Sequence, residues 1–292
     1  MRNYNLNNLV SEAIAIEQEE AKEAGTLGYM ARILVQATIP HSNPHTNSFE
    51  RNNGNLSLTI LGHPKIGLPY GTYPRLLLSW VTTEAILTKN PILILGNNLS
   101  RFMTELGLIP TGGRWGTIWR LRDQISRLFS SSVACIYQSE QLRSGVNFSI
   151  AKEYHLWWNP KSPEQTDLWQ STVTLNQDFF NEIINRPVPI NMRALKAIKD
   201  SSMAIDLYCW LTYRLSYLKQ TTEIPWLLLQ KQFGADYANT KQGRYKFKQK
   251  LITQLKKVAI IYDSAKDVTP TEHGLILLPG KSHIKPIQKS NM

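Results

Sequence analysis

The run Pro110-Thr111-Gly112-Gly113-Arg114-Trp115-Gly116-Thr117-Ile118-Trp119-Arg120-Leu121-Arg122-Asp123-Gln124 constrains the fold more than any other stretch of this chain. Glycines at 112, 113 and 116 free the backbone just before a helix begins. From there Ile118, Leu121, Ile125 and Leu128 recur at i, i+3, i+7 and i+10, one buried stripe on an ideal helix. Gly116, Arg120, Asp123 and Arg127 fall on the opposite side. Arg114 and Thr117 stand at the helix N-terminus, where free backbone N–H groups favour a phosphate. The three glycines would let a DNA backbone come close. The competing reading is an ordinary solvated face, and the glycine loop before the helix and the hairpin after it weigh against that.

A second basic helix is expected over 241–257. Leu251, Ile252 and Leu255 form its inner face with Tyr245. Lys246, Gln249, Lys250, Thr253 and Lys257 lie outside, and Lys241 and Arg244 stand at its start. Arg and Gln can read base edges, whereas Lys more often holds phosphate. Gln242, Arg244 and Gln249 are therefore the candidate sequence readers.

The charge balance fits these two helices. The formal net charge is +11, and residues 1–65 hold only five Lys+Arg against six Asp+Glu. The excess thus sits beyond residue 65 and argues for a polyanionic partner.

The segments order themselves as follows. Residues 1–65 read as an N-terminal accessory segment. A helix over Asn7–Ala24 has Leu9, Ala13, Ile16 and Glu20 in register and Glu17, Glu19, Glu20 and Glu23 solvated. A polar loop or linker follows at 40–55, then a half-buried strand at Leu56–Ile60. Tyr73–Lys89 is a helix with Thr72 as cap and Pro74 in its first turn. Ile92–Leu95 is a strand. Leu99–Leu106 is a helix capped by Asn98 and ended by Gly107. After the glycine loop and its helix to Phe129, Ser132–Gln138 and Val146–Lys152 form a hairpin, with a further strand pair at Tyr154–Trp158 and Leu168–Leu175. Helix, helix, helix and hairpin is the winged-helix plan.

Asn185-Arg186-Pro187-Val188-Pro189 is the candidate boundary, a stiff linker. The plan then repeats with helices at Met192–Ile198, Ser202–Leu218, Trp226–Phe233 and 241–257, and a wing from Ala259–Tyr262 with Gly274–Leu278. The expected fold is α+β and mainly helical: two tandem winged-helix domains, 66–186 and 187–292, the second with a flexible C-terminal tail. Trp157, Trp158, Trp169 and Trp210 are taken as core anchors rather than base-stacking groups.

Other chemistry lacks its residues. Cys135 and Cys209 are lone thiols in apolar stretches, supply no zinc set and suit a reducing cytosol. His41 and His45 have an i, i+4 spacing but no partner ligands nearby. There is no phosphate-binding G-x-x-x-x-G-K-[ST] loop and no His-x-His element beside a tyrosine. No cofactor, metal, secretory signal or membrane span is expected, and the chain reads as a non-enzyme.

The blocks LPYGTYPRLLLSWVTTEAI (68–86), PTGGRWGTIWRLRDQISRLFSS (110–131) and INMRALKAIKDSSMAIDLYCWLTYRL (190–215) resemble the RepA family of plasmid replication initiators. The resemblance covers roughly 66–280; the second basic helix matches less literally. It implies a cytoplasmic, plasmid-encoded protein in a bacterium. Such a protein binds repeated origin sites, called iterons, in duplex DNA. It helps open an adjacent AT-rich segment, recruits host replication proteins such as a helicase or its loader, and shifts between monomer and dimer. Carried over, the helix at 113–129 faces DNA in the first domain and the helix at 241–257 in the second. A winged-helix autorepressor that leaves the duplex closed, and a nicking enzyme that attaches covalently to DNA, are the competing functions.

Overall fold

The computed structural model describes residues 9–14, 16, 21–234 and 237–284. In chain order the first elements are β1 (Leu27–Ala31), α1 (Arg32–Gln36), β2 (Ser48–Asn53), β3 (Leu56–Leu61), α2 (Tyr73–Thr88), β4 (Ile92–Gly96) and α3 (Leu99–Glu105). Then come α4 (Thr117–Phe129), β5 (Ser132–Gln138), β6 (Arg143–Ser149), β7 (Ala151–His155), β8 (Ser171–Leu175), α5 (Gln177–Asn185) and β9 (Pro187–Asn191). The last are α6 (Met192–Ala197), α7 (Ser202–Leu215), β10 (Thr222–Pro225), α8 (Trp226–Phe233), α9 (Lys241–Ile261), β11 (Thr269–Pro270) and β12 (Gly274–Leu277). The fold is mixed α/β and divides into two compact units, Ala31–Pro187 and Met1–Met30 with Val188–Met292. Among the described residues no helix is long and apolar enough to cross a membrane.

In the unit 31–187, two antiparallel sheets run β2-β3-β5-β6 and β4-β8-β7. Strand alternation explains the first. Leu58, Ile60, Val133, Cys135 and Phe148 are buried, and the register pairs Leu58 with Cys135, Ile60 with Val133 and Val133 with Phe148. One face is therefore apolar and dry. Helix α2 is buried nearly all round, as its run Leu76, Leu77, Leu78, Trp80 and Val81 demands. Within it Arg75 is also buried, and its guanidinium donates to the carbonyls of Ile39 (2.7 Å), Pro40 (3.1 Å) and Gly71 (2.6 Å). A buried cation is tolerable only with such partners, and these tie Ile39 and Pro40 to α2. Thr72 makes no side-chain cap; its carbonyl accepts the Arg75 and Leu76 N–H groups instead.

The polar stretch 40–55 is not simply a loop. Its second half is strand β2, paired to β3 from Ser48↔Leu61 to Asn53↔Leu56. Edge position suits its polar side chains, because Ser48, Glu50 and Asn52 face water. Gly54, at φ 57, makes the two-residue turn with Asn55.

The other unit begins with β1 paired to β9. The expected Pro-Val-Pro linker is thus a strand. Val188 and Ile190 are buried, and the prolines alternate with them in a two-stranded sheet, where every strand is an edge that tolerates proline. Residues 9–14 are helical, with Leu9 and Ile16 buried and Glu12 accepting from Arg193 Nε at 2.6 Å. Of the helix expected over 7–24, Asn7, Glu17, Glu19 and Glu20 lie outside the described residues, and 21–25 form a turn. The segment 1–65, read as one accessory piece, is shared between the two units. The C-terminal tail beyond 284 lies outside the described residues.

Helix α7 forms the centre of this unit, with Leu207, Tyr208, Trp210 and Leu211 buried, and Trp210 meets Phe233 edge-on at 5.5 Å. The sheet runs β10-β12-β11. The wing differs from expectation. Residues 259–261 continue α9, because Val258 and Ile261 extend its buried stripe, and the strand opposite β12 is β11. Residues 281–284 close over the core. His283 stacks on Tyr262 (4.8 Å) and lies edge-on to Tyr208 (5.5 Å).

Candidate nucleic-acid interface

Helix α4 starts from a closed loop. The Thr117 N–H donates to Thr111 Oγ1 at 3.0 Å, and the Thr117 hydroxyl donates to the Ile109 carbonyl at 2.6 Å. The Thr111 N–H donates to Thr117 Oγ1 at 2.8 Å, and the Ile118 N–H donates to the Thr111 carbonyl at 3.3 Å. The amides and hydroxyl expected to receive a phosphate therefore already have internal partners. Thr117 is a loop-closing residue. Gly116 also serves the loop: a Cβ there would meet Thr111 O at 2.2 Å and Gly112 O at 2.3 Å. Gly112 and Gly113 face open space, and Gly113 has φ 82.

The arginines of this region differ in their freedom. Arg114 is exposed, with its guanidinium 5.3 Å from the Trp115 ring centroid. Arg120 is exposed beside the Tyr73 phenol; burial pushes that phenol up, and the hydrogen-bonded Arg120 acts the other way. Arg127, expected to face DNA, is engaged within the protein. Its Nε donates to Asp123 Oδ2 at 2.7 Å, its Nη1 donates to the Leu68 carbonyl at 3.3 Å, and it lies 5.4 Å from the Tyr70 ring centroid. The helical wheel put it opposite the core stripe, but the 67–70 segment folds over it. Sequence reasoning also missed Trp115 and Trp119, which are 76% and 42% exposed at the start of α4.

Helix α9 carries a different surface. Thr240 caps it by accepting the Gly243 N–H at 3.0 Å. Gly243 is buried against the preceding loop, where a Cβ would meet Ala238 O at 2.0 Å. Both basic helices thus begin on a glycine pressed against a carbonyl of the loop before them. Lys241, Gln242, Arg244, Lys246, Gln249, Lys250, Thr253 and Lys256 are all exposed. Arg244 donates to Asn239 Oδ1 at 2.9 Å, which aims it without neutralising it. Tyr245, expected inside, is 62% exposed; Phe247 takes the core position. Its place four residues before Leu251 is the signal that could have found it. Lys257 is paired with Asp200, and Lys248 donates to the Thr271 carbonyl at 3.0 Å over the Trp226 ring. Neither belongs to the outer face.

The electrostatics of α9 are unfavourable to the helix itself. It has seven Lys+Arg and no acid. Lys241 and Arg244 stand at the positive end of its dipole, and Lys246 and Lys250 repel at i, i+4. A bound polyanion removes both costs.

The family model for plasmid-encoded RepA protein matches residues 68–226, over half of the chain. This chain belongs to the RepA family. RepA-family membership makes it a replication initiator. The RepA match contains α4 whole and stops at the start of α8, short of α9 and of the wider 66–280 range expected. The RepA-family chain is also similar to the crystal structure of selenomethionine derivatives of domains 2 and 3 of RctB. There the TM-score is 0.51 at 13% identity, over 83% of this chain and 95% of that one. A second structure of RctB domains 2–3 has a TM-score of 0.48 at 14% identity, over 77% and 82%. At 13% identity the first likeness concerns the fold. No curated protein matches the RepA-family chain.

The four tryptophans read as core divide. Trp158 and Trp210 are buried; Trp157 and Trp169 are 53% and 63% exposed and form a tilted pair 6.4 Å apart.

Proposed function

We propose that this chain initiates plasmid replication by binding iterons in duplex DNA with α9 as its main reading helix, without chemistry of its own. The observation that carries the reading is the acid-free outer face of α9, with cations at the positive end of its own dipole. Arg244, Gln242 and Gln249 would read base edges, and Lys241, Lys246 and Lys250 would hold phosphates.

The element order supports two tandem winged-helix domains. Apart from β5 and β6, which come between α4 and β7 and join the β2-β3 sheet, the 31–187 unit runs α2-β4-α3-α4-β7-β8, and the other runs α7-β10-α8-α9-β11-β12: helix, strand, two helices and a final strand pair in each. Each has a sheet with its last strand in the middle. One helix in a groove covers only a few base pairs, so two modules on one chain gain from tethering. The reading extends to opening of a neighbouring AT-rich segment, recruitment of host replication proteins and a monomer–dimer equilibrium.

The test is a footprint on the replicon that encodes this chain, with permanganate probing of unpaired thymines. Protection at regular direct repeats beside reactive thymines supports the reading. A single protected palindrome in closed duplex makes the protein a repressor, and a covalent protein–DNA adduct makes it an enzyme.

A further inference from the structure

Indole is a large apolar ring that folding normally hides. Of the eight tryptophans, Trp115 is the most exposed, at 76%, and it stands immediately before α4. Trp119 follows in the first turn, 42% exposed. The loop that carries Trp115 is fixed by the reciprocal Thr111–Thr117 bonds and by the Gly116 N–H donating to the Gly113 carbonyl at 3.0 Å. The ring is thus held out to solvent by a rigid mount. Arg114 lies 5.3 Å from its centroid, and Gly112 and Gly113 leave the adjoining backbone open.

The same end of α4 is poor in groups that read a duplex. Its one amide side chain, Gln124, is buried, and its Oε1 accepts the Tyr70 N–H at 2.8 Å. Arg127 is engaged with Asp123, which is the helix's single acid. What the start of α4 and the loop before it offer outward is two exposed indoles, with Arg114 and Arg120 as exposed cations in the same stretch. Stacking on aromatic rings is how unpaired bases are held without sequence preference, and the cations suit the phosphates between them. This charge favours a nucleic-acid strand over an apolar protein surface. Helix α9, with exposed amides and a cationic row, has the opposite character.

We infer that Trp115, Trp119 and Arg114 form a stacking platform for unpaired bases of the opened origin strand. The inference rests on the initiator reading above and divides the labour: α9 grips duplex repeats, and the start of α4 holds bases released by opening.

The test uses the full chain and three labelled probes. These are an oligothymidylate of about twenty nucleotides, an abasic strand of equal length, and the origin duplex. Trp115→Ala and Trp119→Ala should each weaken oligothymidylate binding on the order of tenfold. The abasic strand and the duplex should change by no more than about twofold. Trp115→Phe and Trp119→Phe should keep most of the binding. Equal losses on the thymidylate and abasic strands, or no loss on either, overturn the platform. A wild-type chain that ignores the origin duplex, yet loses thymidylate binding on Trp115→Ala, removes the initiator reading and leaves the platform standing. Duplex binding with tryptophan-independent thymidylate binding does the reverse.

Discussion

Gly243 lies so close to Ala238 that a Cβ on the glycine would meet the Ala238 carbonyl oxygen at 2.0 Å. The carbonyl belongs to backbone, so the loop itself has to move. Gly243→Ala should therefore destabilise the second unit by about 1–3 kcal/mol, seen as a drop of several degrees in its melting temperature. Gly116→Ala, facing the Thr111 carbonyl at 2.2 Å, should do the same to the first. A melt unchanged in both variants refutes the close-packed loops.

Arg127 and the lysines of α9 should separate in a salt titration. Lys246→Ala and Lys250→Ala each remove an exposed cation, and each should lower the slope of log K against log salt on duplex DNA by about one. Arg127→Ala should leave that slope alone and cost stability on the order of 1–3 kcal/mol, because it frees Asp123 and the Leu68 carbonyl. A reduced slope for Arg127→Ala puts it on the DNA.

Arg244→Ala and Gln249→Ala should lose cognate repeats selectively, by about 1–3 kcal/mol per base contact. Competition between a repeat-bearing duplex and random duplex measures this. Equal losses on both would assign these residues to the backbone.

His283 makes stability depend on pH. Burial between Tyr208 and Tyr262 lowers it from 6.5 to about 4. Tyr208 accepts the Asn191 N–H at 2.8 Å, and its hydroxyl lies 2.8 Å from His283 Nδ1, a pairing open to neutral imidazole. The depressed value means the contribution is full above pH 6.5 and is lost as pH falls toward about 4. In the limit it is worth about 3 kcal/mol. Denaturant melts across this range should show the loss, and His283→Leu should flatten it. Parallel curves for the two proteins would remove His283 as the cause.

Periodicity made much of this fold legible. The stripe Ile118, Leu121, Ile125, Leu128 is buried as spaced, and Asn98 caps α3 by accepting the Arg101 N–H at 2.9 Å. What escaped were long-range facts. Strand β2 has little apolar pattern and exists because β3 pairs with it. Pro187 and Pro189 read as linker until β1 lies alongside. In the candidate site, composition marked the cationic row of α9. The wheel could not tell that Arg127 meets a segment nearly sixty residues away, or that Trp115 stands largely in solvent.

The pairing of β1 with β9 sets an order of events during synthesis. The strand at 27–31 leaves the ribosome long before its partner at 187–191 exists. The unit 31–187 can complete itself in the meantime, since domains fold as their chain becomes available. Strand β1 waits for β9. A lesion in β1 should therefore be felt by the part of the protein made last, the part that carries α9.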